Sequence, residues 1–217
     1  MVGNNDEMSL MGNVGSDHFA NFLKVLEFYK LKQIPRNSSN HYDDEKDGVF
    51  YQRRETTAEH VFSSLRLADF FLTTELEFSD LDRLKSYELL MYHDDVEIIT
   101  RDTGISEREK RRYKEQTELE AIPVLSQRLP LGLDGKLLQC DAEYRAKSSE
   151  ESKFANVVDK MDSLVHEFQY PLDWGPKGFD EKNVRSWFQP AFEYSPTFIR
   201  YFEDTVNHLG NNGYFNE

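Results

Sequence analysis

Apolar residues in this chain recur at spacings of three and four and nowhere alternate over a useful length. That spacing marks one face of a helix with about 3.6 residues per turn, whereas a half-buried strand needs a period of two. Phe154, Val157, Val158, Met161, Leu164 and Val165 form the cleanest stripe. Ala58, Val61, Phe62, Leu65, Ala68 and Leu72 form another. Thr56 opens it with Glu59 three residues on, the pattern of a capping box. Phe19, Phe22, Leu23, Leu26 and Phe28–Tyr29 predict a first helix over about 18–31, stopped by Pro35. Further helices are expected over about 81–95, capped by Ser79 or Asp80, and from Ser106 to about Arg128. One or two more are expected between Leu137 and Tyr170, where Pro171 ends the run. A last aromatic-rich helix is expected over about 186–209, ending at Gly210. The polar run Asn37–Gly48 reads as a long acidic loop. The expected fold class is all-α, a compact multi-helix bundle.

At 217 residues the chain suits one large domain. Residues 1–17, rich in Gly, Asn and Met, read as a mobile arm, 18–210 as a single domain and 211–217 as a tail. Twenty-six basic against 40 acidic residues leave a net charge of −14, which argues against binding a nucleic-acid polymer. A small anion is not excluded, because it needs only a local cation or two, or a metal. A lone cysteine, Cys140, cannot form an intrachain disulfide, so a reducing, cytoplasmic setting is expected. No apolar run approaches the ~18 residues of a membrane span. Met1–Asp17 lacks the basic and apolar regions of a signal peptide.

The segment Leu89-Leu90-Met91-Tyr92 is apolar on all sides and is expected to be buried. His93 and Asp94 follow it directly, and two ionisable groups in such a place are costly unless paired or metal-bound. Read alone, the pair is also compatible with a helix end where His93 meets the dipole and Asp94 is solvated. Its company narrows the reading. Upstream stands Arg53-Arg54-Glu55-Thr56-Thr57-Ala58-Glu59-His60, and downstream Glu151 followed by Asp159-Lys160-Met161-Asp162.

This set resembles the HD-domain phosphohydrolase superfamily, whose ligands run His, then His-Asp, then a distant Asp. Within it the chain looks most like the 5′-deoxynucleotidase branch, with the resemblance covering about residues 20–170, the expected metal-site core. Residues 171–210 would be its C-terminal aromatic region. The resemblance implies His60, His93, Asp94 and Asp159 as ligands of one divalent ion, Mn²⁺, Co²⁺, Fe²⁺, Zn²⁺ or Mg²⁺. Periodicity does not itself select Asp159, which falls away from the apolar centre of its stripe and reads alone as a solvated helix charge. The resemblance further implies Glu97 and Asp102 as catalytic carboxylates and Arg36 as a phosphate contact. Arg53 is a second substrate-side arginine, or a partner of carboxylates around the site. On a helix continuing past His93, Glu97 would share its face. Asp102 follows Arg101, where relatives often carry Gly.

A metal-dependent 5′-nucleotidase for deoxyribonucleoside monophosphates is therefore expected, as a homodimer. Another phosphorylated metabolite is the alternative substrate, and a non-catalytic nucleotide- or protein-binding module is the reading from a different class. His18, His41, His166 and His208 have no ligand-like neighbours and read as structural or exposed. The aromatic group from Trp174 to Phe202 reads as packing.

Overall fold

The computed structural model describes residues 18–44, 49–104, 107–169, 174 and 178–215. Helix α1 (18–23) runs directly into a 3-10 segment, Lys24–Gln33. Strands β1 (Pro35–Asp44) and β2 (Val49–Thr56) follow, then α2 (Thr57–Thr74) and a short 3-10 turn, Leu76–Phe78. The rest is α3 (Arg83–Tyr92), α4 (Glu97–Thr100), α5 (Arg108–Ser126), α6 (Leu133–Ala146), α7 (Glu150–Gln169), α8 (Glu181–Phe192) and α9 (Pro196–Asn211). The architecture is an all-α bundle with one two-stranded ribbon.

Side-chain caps start several of these helices, because the first N–H groups of a helix have no partner within it. Thr56 accepts the Glu59 N–H while the Glu59 carboxylate accepts the Thr56 N–H, so the capping box opens α2 as expected. Asp82, rather than Ser79 or Asp80, caps α3 by accepting the Lys85 N–H. Ser195 accepts the Phe198 N–H, with Pro196 at the first helical position of α9.

Helix α7 carries the core. Phe154, Ala155, Val157, Val158, Met161 and Leu164 are all buried, and the helix packs against α2, α3, α6, α8 and α9. Phe198 of α9 meets Phe71, Phe78 and Phe154, with ring centroids 4.9, 4.8 and 5.6 Å apart. The C-terminal helices thus join the same apolar core that holds α2, α3 and α7. Trp174 stacks on Phe179 and Phe188, so this aromatic group packs against itself.

Four sequence expectations change. The first helix is split, and Phe19, Phe22, Leu23 and Leu26 are exposed while Leu31 is buried. From Lys24 on, a 3-10 segment turns once per three residues, so the stripe drawn at 3.6 is not kept there, while Phe19, Phe22 and Leu23 lie before it on the exposed α1. The acidic stretch after Pro35 is not simply a loop. β1 pairs antiparallel with β2 in a register that joins Pro35 to Thr56 and Asn40 to Arg53, irregular between Pro35 and Ser39. Among the described residues the two strands pair only with each other, and such a ribbon needs no alternating apolar face. The helix expected over 81–95 ends at Tyr92. The single helix expected over 186–209 is two, because Ser195 and Pro196 stop one helix and start the next. Pro171, the expected end of α7, lies outside the described residues.

Candidate metal centre

Three helices converge on one buried point. His60 comes from the first turn of α2, His93 and Asp94 from the turn that ends α3, and Asp159 from the middle of α7. His60 Nε2 lies 3.3 Å from His93 Nε2, 3.1 Å from Asp159 Oδ1 and 3.6 Å from Asp94 Oδ2. His93 Nε2 lies 3.2 Å from Asp94 Oδ2 and 3.6 Å from Asp159 Oδ1. Both histidines are buried, and both aspartates are at least three-quarters covered. Donors at ~2.0–2.2 Å from one ion stand roughly 3–3.5 Å from each other, so His60, His93 and Asp159 have the spacing of one coordination shell, with Asp94 Oδ2 close to both imidazoles.

The outer nitrogens fix which way the imidazoles present themselves. His93 Nδ1 donates to the Leu90 carbonyl at 2.7 Å, and His60 Nδ1 donates to Asp162 Oδ2 at 2.6 Å. Each ring therefore turns Nε2 inward, the arrangement that makes neutral histidine a ligand. Tyr144 Oη donates to Asp159 Oδ2 at 3.0 Å, which leaves Oδ1 for the centre. The donor types, two imidazoles and two carboxylates, with His60, His93 and Asp159 each oriented by a further bond, suit a divalent cation.

Without an ion, protons offset the negative charge. Burial and Arg36 oppose protonation of His60, but Asp159 and Asp162 outweigh them and raise it to about 9. Burial likewise opposes His93, while Asp94 and Asp159 hold it well above its usual value. Asp94 and Asp159 are depressed in turn, their burial overcome by His93, Arg36 and His60 at Asp94 and by His60 and His93 at Asp159.

Arg36 joins the cluster from the irregular start of β1. Thr57 donates its N–H to the Ile34 carbonyl at 2.9 Å, pinning this segment to the start of α2. Arg36 Nη1 donates to Asp94 Oδ2 at 2.9 Å, with Nε 3.7 Å from Glu55 Oε2. Glu55 in turn faces His166, which is nearly buried. A guanidinium has five donors, so these contacts leave others for an oxyanion. Arg53 is not brought to this point. It is half exposed and grips the Glu59 carboxylate at the start of α2, holding that group down to about 2.

Glu97 reaches the site by another route than a continuous helix. His93–Val96 form a turn, and Glu97 opens α4, fully buried. Its Oε2 accepts from Thr57 Oγ1 at 2.9 Å and its Oε1 lies 3.4 Å from Lys114 Nζ. Burial and then the Asp94 charge raise Glu97 to about 8, against Arg36 and Lys114. Asp102 is half-buried, and its charge acts on Arg36, Glu97 and Lys114. The residue before it, Arg101, has φ 68° and ψ 159°, a conformation close to glycine-only.

Asp162, which closes the Asp159-Lys160-Met161-Asp162 run of the sequence, is the group that orients His60. Lys114 and Tyr144 were not legible in the sequence, because each meets its partner through tertiary packing and neither sits in a motif. Glu151, part of the third motif, lies elsewhere, where it accepts the Asp82 N–H and pairs with Lys85.

This chain belongs to the HD domain family, whose model matches residues 28–188. It is 28% identical over 166 residues to the 5′-deoxynucleotidase HDDC2 of Bos taurus, spanning 75% of this chain and 73% of that protein. The 5′-deoxynucleotidase hdd1 of Schizosaccharomyces pombe is 23% identical over 184 residues, 78% of this chain and 87% of that one. Among solved structures, a "predicted metal-dependent phosphohydrolase" from Magnetospirillum magnetotacticum MS-1 superposes with a TM-score of 0.75 at 26% identity. The match covers 92% of this chain and 96% of that one.

Two outcomes follow from the geometry. Arg101→Gly is expected to raise stability by about 1 kcal/mol, since relief of the strained φ exceeds the entropy cost of glycine. A lower denaturation midpoint would contradict this. The second concerns pH. His60 at about 9 and Glu97 at about 8 both lie above their ordinary values of 6.5 and 4.5. Their protons favour the folded state at low pH, and that contribution is lost as pH rises through the folded values. Asp94 and Asp159, being depressed, already contribute fully above about pH 4. Metal-stripped protein should therefore lose thermal stability between about pH 5 and pH 9. Mn²⁺ should restore it. A melting temperature that rises across that range would show the reverse balance.

Proposed function

We propose that this chain is a metal-dependent 5′-deoxynucleotidase, removing phosphate from deoxyribonucleoside 5′-monophosphates. The observation that carries the reading is the convergence of His60, His93, Asp94 and Asp159, with Arg36 and Glu97 against the same cluster. A divalent cation held by those four side chains would supply a Lewis acid that neutralises phosphoryl oxygens and acidifies water. Two imidazoles favour a first-row ion over Mg²⁺.

The chain's own groups do the rest. Arg36 holds the phosphate through the donors that Asp94 and Glu55 leave over. Glu97, deprotonated and aligned by Thr57 and Lys114, takes a proton from the attacking water. Asp102 assists beside it, on the sugar side or as a second acidic group. The names of the curated relatives support the deoxynucleotide class. The exposed row Phe19, Phe22, Leu23 and Leu26 supports a homodimer, in which an apolar face of this kind would be covered. A cytoplasmic setting accords with the free, buried Cys140. Among the described residues no helix is long and apolar enough to cross a membrane.

Purified protein stripped of metal should release no phosphate from dAMP, dGMP or TMP, and Mn²⁺ or Co²⁺ should restore release. Asp94→Ala should abolish turnover, and Arg36→Ala should raise KM. In the wild type, kcat/KM should rise with pH along a limb displaced above the usual carboxylate range of about 4.3. The ion's charge should pull that limb below the metal-free Glu97 value. Glu97→Gln should remove the limb together with most activity. Turnover undiminished after thorough metal removal, or a panel in which only other phosphate esters react, would overturn this assignment.

A further inference from the structure

The cation beside Glu97 is itself held from behind. Lys114 Nζ stands 3.4 Å from Glu97 Oε1 and 3.2 Å from Oε1 of Glu118, one turn further along α5. Glu118 is buried, and its other oxygen accepts from Arg145 Nη1 at 3.0 Å. Arg145, in the last turn of α6, donates through Nε to the two oxygens of the buried Asp141, at 2.9 and 3.0 Å. Carboxylate and cation thus alternate from Glu97 on α4, through Lys114 and Glu118 on α5, to Arg145 and Asp141 on α6. The same end of α6 also serves the metal centre, because Tyr144, next to Arg145, donates to Asp159 Oδ2 at 3.0 Å.

Each member of this run restrains the next. The Lys114 side chain is 25% exposed, long and flexible, and its ammonium has three donors. Paired with Glu97 alone, it would be free to close on that carboxylate or to swing into water. Either movement changes how Glu97 Oε1 is presented to the cluster. Glu118 opposes both by drawing the ammonium back along α5. Glu118 cannot follow the lysine, because the planar guanidinium of Arg145, anchored on Asp141, holds its far oxygen. The second oxygen of Glu97 is fixed separately, by Thr57 Oγ1 at 2.9 Å. Stability does not require such a network, since apolar residues of equal volume are often as stable as buried ion pairs. What a satisfied network supplies is a fixed geometry.

We infer that Glu118 is a positioning residue for the hydrolytic step. Backed by Arg145 and Asp141, it sets where the Lys114 ammonium stands and so keeps the Glu97 carboxylate aligned on the attacking water. This role rests on the reading of Glu97 as the group that takes the water's proton, but the placement of Lys114 is measurable without turnover.

Phosphate release from dAMP by the Mn²⁺-loaded full chain gives the first measurement. Glu118→Gln should lower kcat about tenfold, the worth of one charge-assisted hydrogen bond, and leave KM within about twofold, because Arg36 is untouched. Glu118→Asp, which keeps the charge, should recover kcat to within about threefold of wild type. Lys114→Gln should lower kcat at least about tenfold, and adding Glu118→Gln to it should cost less than about twofold more. Losses that multiply in the double variant would overturn the inference, as would an unchanged kcat or a change in KM alone in folded Glu118→Gln. The second measurement needs no substrate. In ¹⁵N-lysine-labelled protein, an ammonium held between two carboxylates should give a slowly exchanging signal, assigned by its loss in Lys114→Arg. Glu118→Gln should abolish that signal. A signal missing from the wild type, or surviving in Glu118→Gln, would overturn the placement. If the signal depends on Glu118 while no deoxynucleotide is hydrolysed, the placement of Lys114 stands and the substrate assignment falls.

Discussion

Two imidazole nitrogens 3.3 Å apart, with two carboxylate oxygens closing on them, are the constraint to which the rest of the structure answers. Four such groups crowded away from water are unfavourable unless protons or a cation neutralise them. The fold supplies the framework that holds them there. His60 and His93 ride on helices whose other residues, Val61, Ala68, Leu89 and Leu90 among them, are buried. Asp159 rides on α7, whose stripe from Phe154 to Leu164 packs between those helices and the C-terminal pair. Apolar burial over that area opposes the cost of the polar cluster, and Asp162, the Leu90 carbonyl and Tyr144 set the direction of the ligand atoms of His60, His93 and Asp159.

The electrostatics become local once the site is in place. Carboxylates gather inside, at Asp94, Asp159, Asp162, Glu97 and Glu55, and cations surround them, at Arg36, Lys114 and Lys160. A buried, desolvated Glu97 raised to about 8 is a carboxylate with the basicity that proton transfer near neutral pH calls for. An acidic protein can thus present an attractive surface to an anion, because the field at the cluster is set by groups within a few ångströms and the bulk charge is screened over about 8–10 Å.

Local chemistry was legible where it depends on neighbours in the chain. The Thr56–Glu59 box, the stripe on α7 and the order of His60, His93, Asp94 and Asp159 could all be read directly. Reading failed where a competing local rule intervened. Pro196 behind Ser195 breaks what periodicity alone draws as one helix, and the 3-10 winding of Lys24–Gln33 breaks the 3.6-residue period of the first one. Glu97 was placed near His93 by assuming a helix that in fact stops at Tyr92. The turn that replaces it still delivers the carboxylate to the same region. Arg101 shows the converse, a sequence departure from the family's glycine that the backbone registers as a φ of 68°.

By itself, the sequence determined that this chain folds as helices, which residue types could hold an ion, and in what order they come. Hydrophobic periodicity reports how often a residue meets water, and motifs report what chemistry a side chain can perform. Neither reports which side chains meet across a core. Asp162 and His60 are 102 residues apart and 2.6 Å from each other, and only the packing of α7 on α2 makes that so. The same packing turned Asp159 inward against its helical phase. It gave Asp94 to Arg36 rather than Arg53.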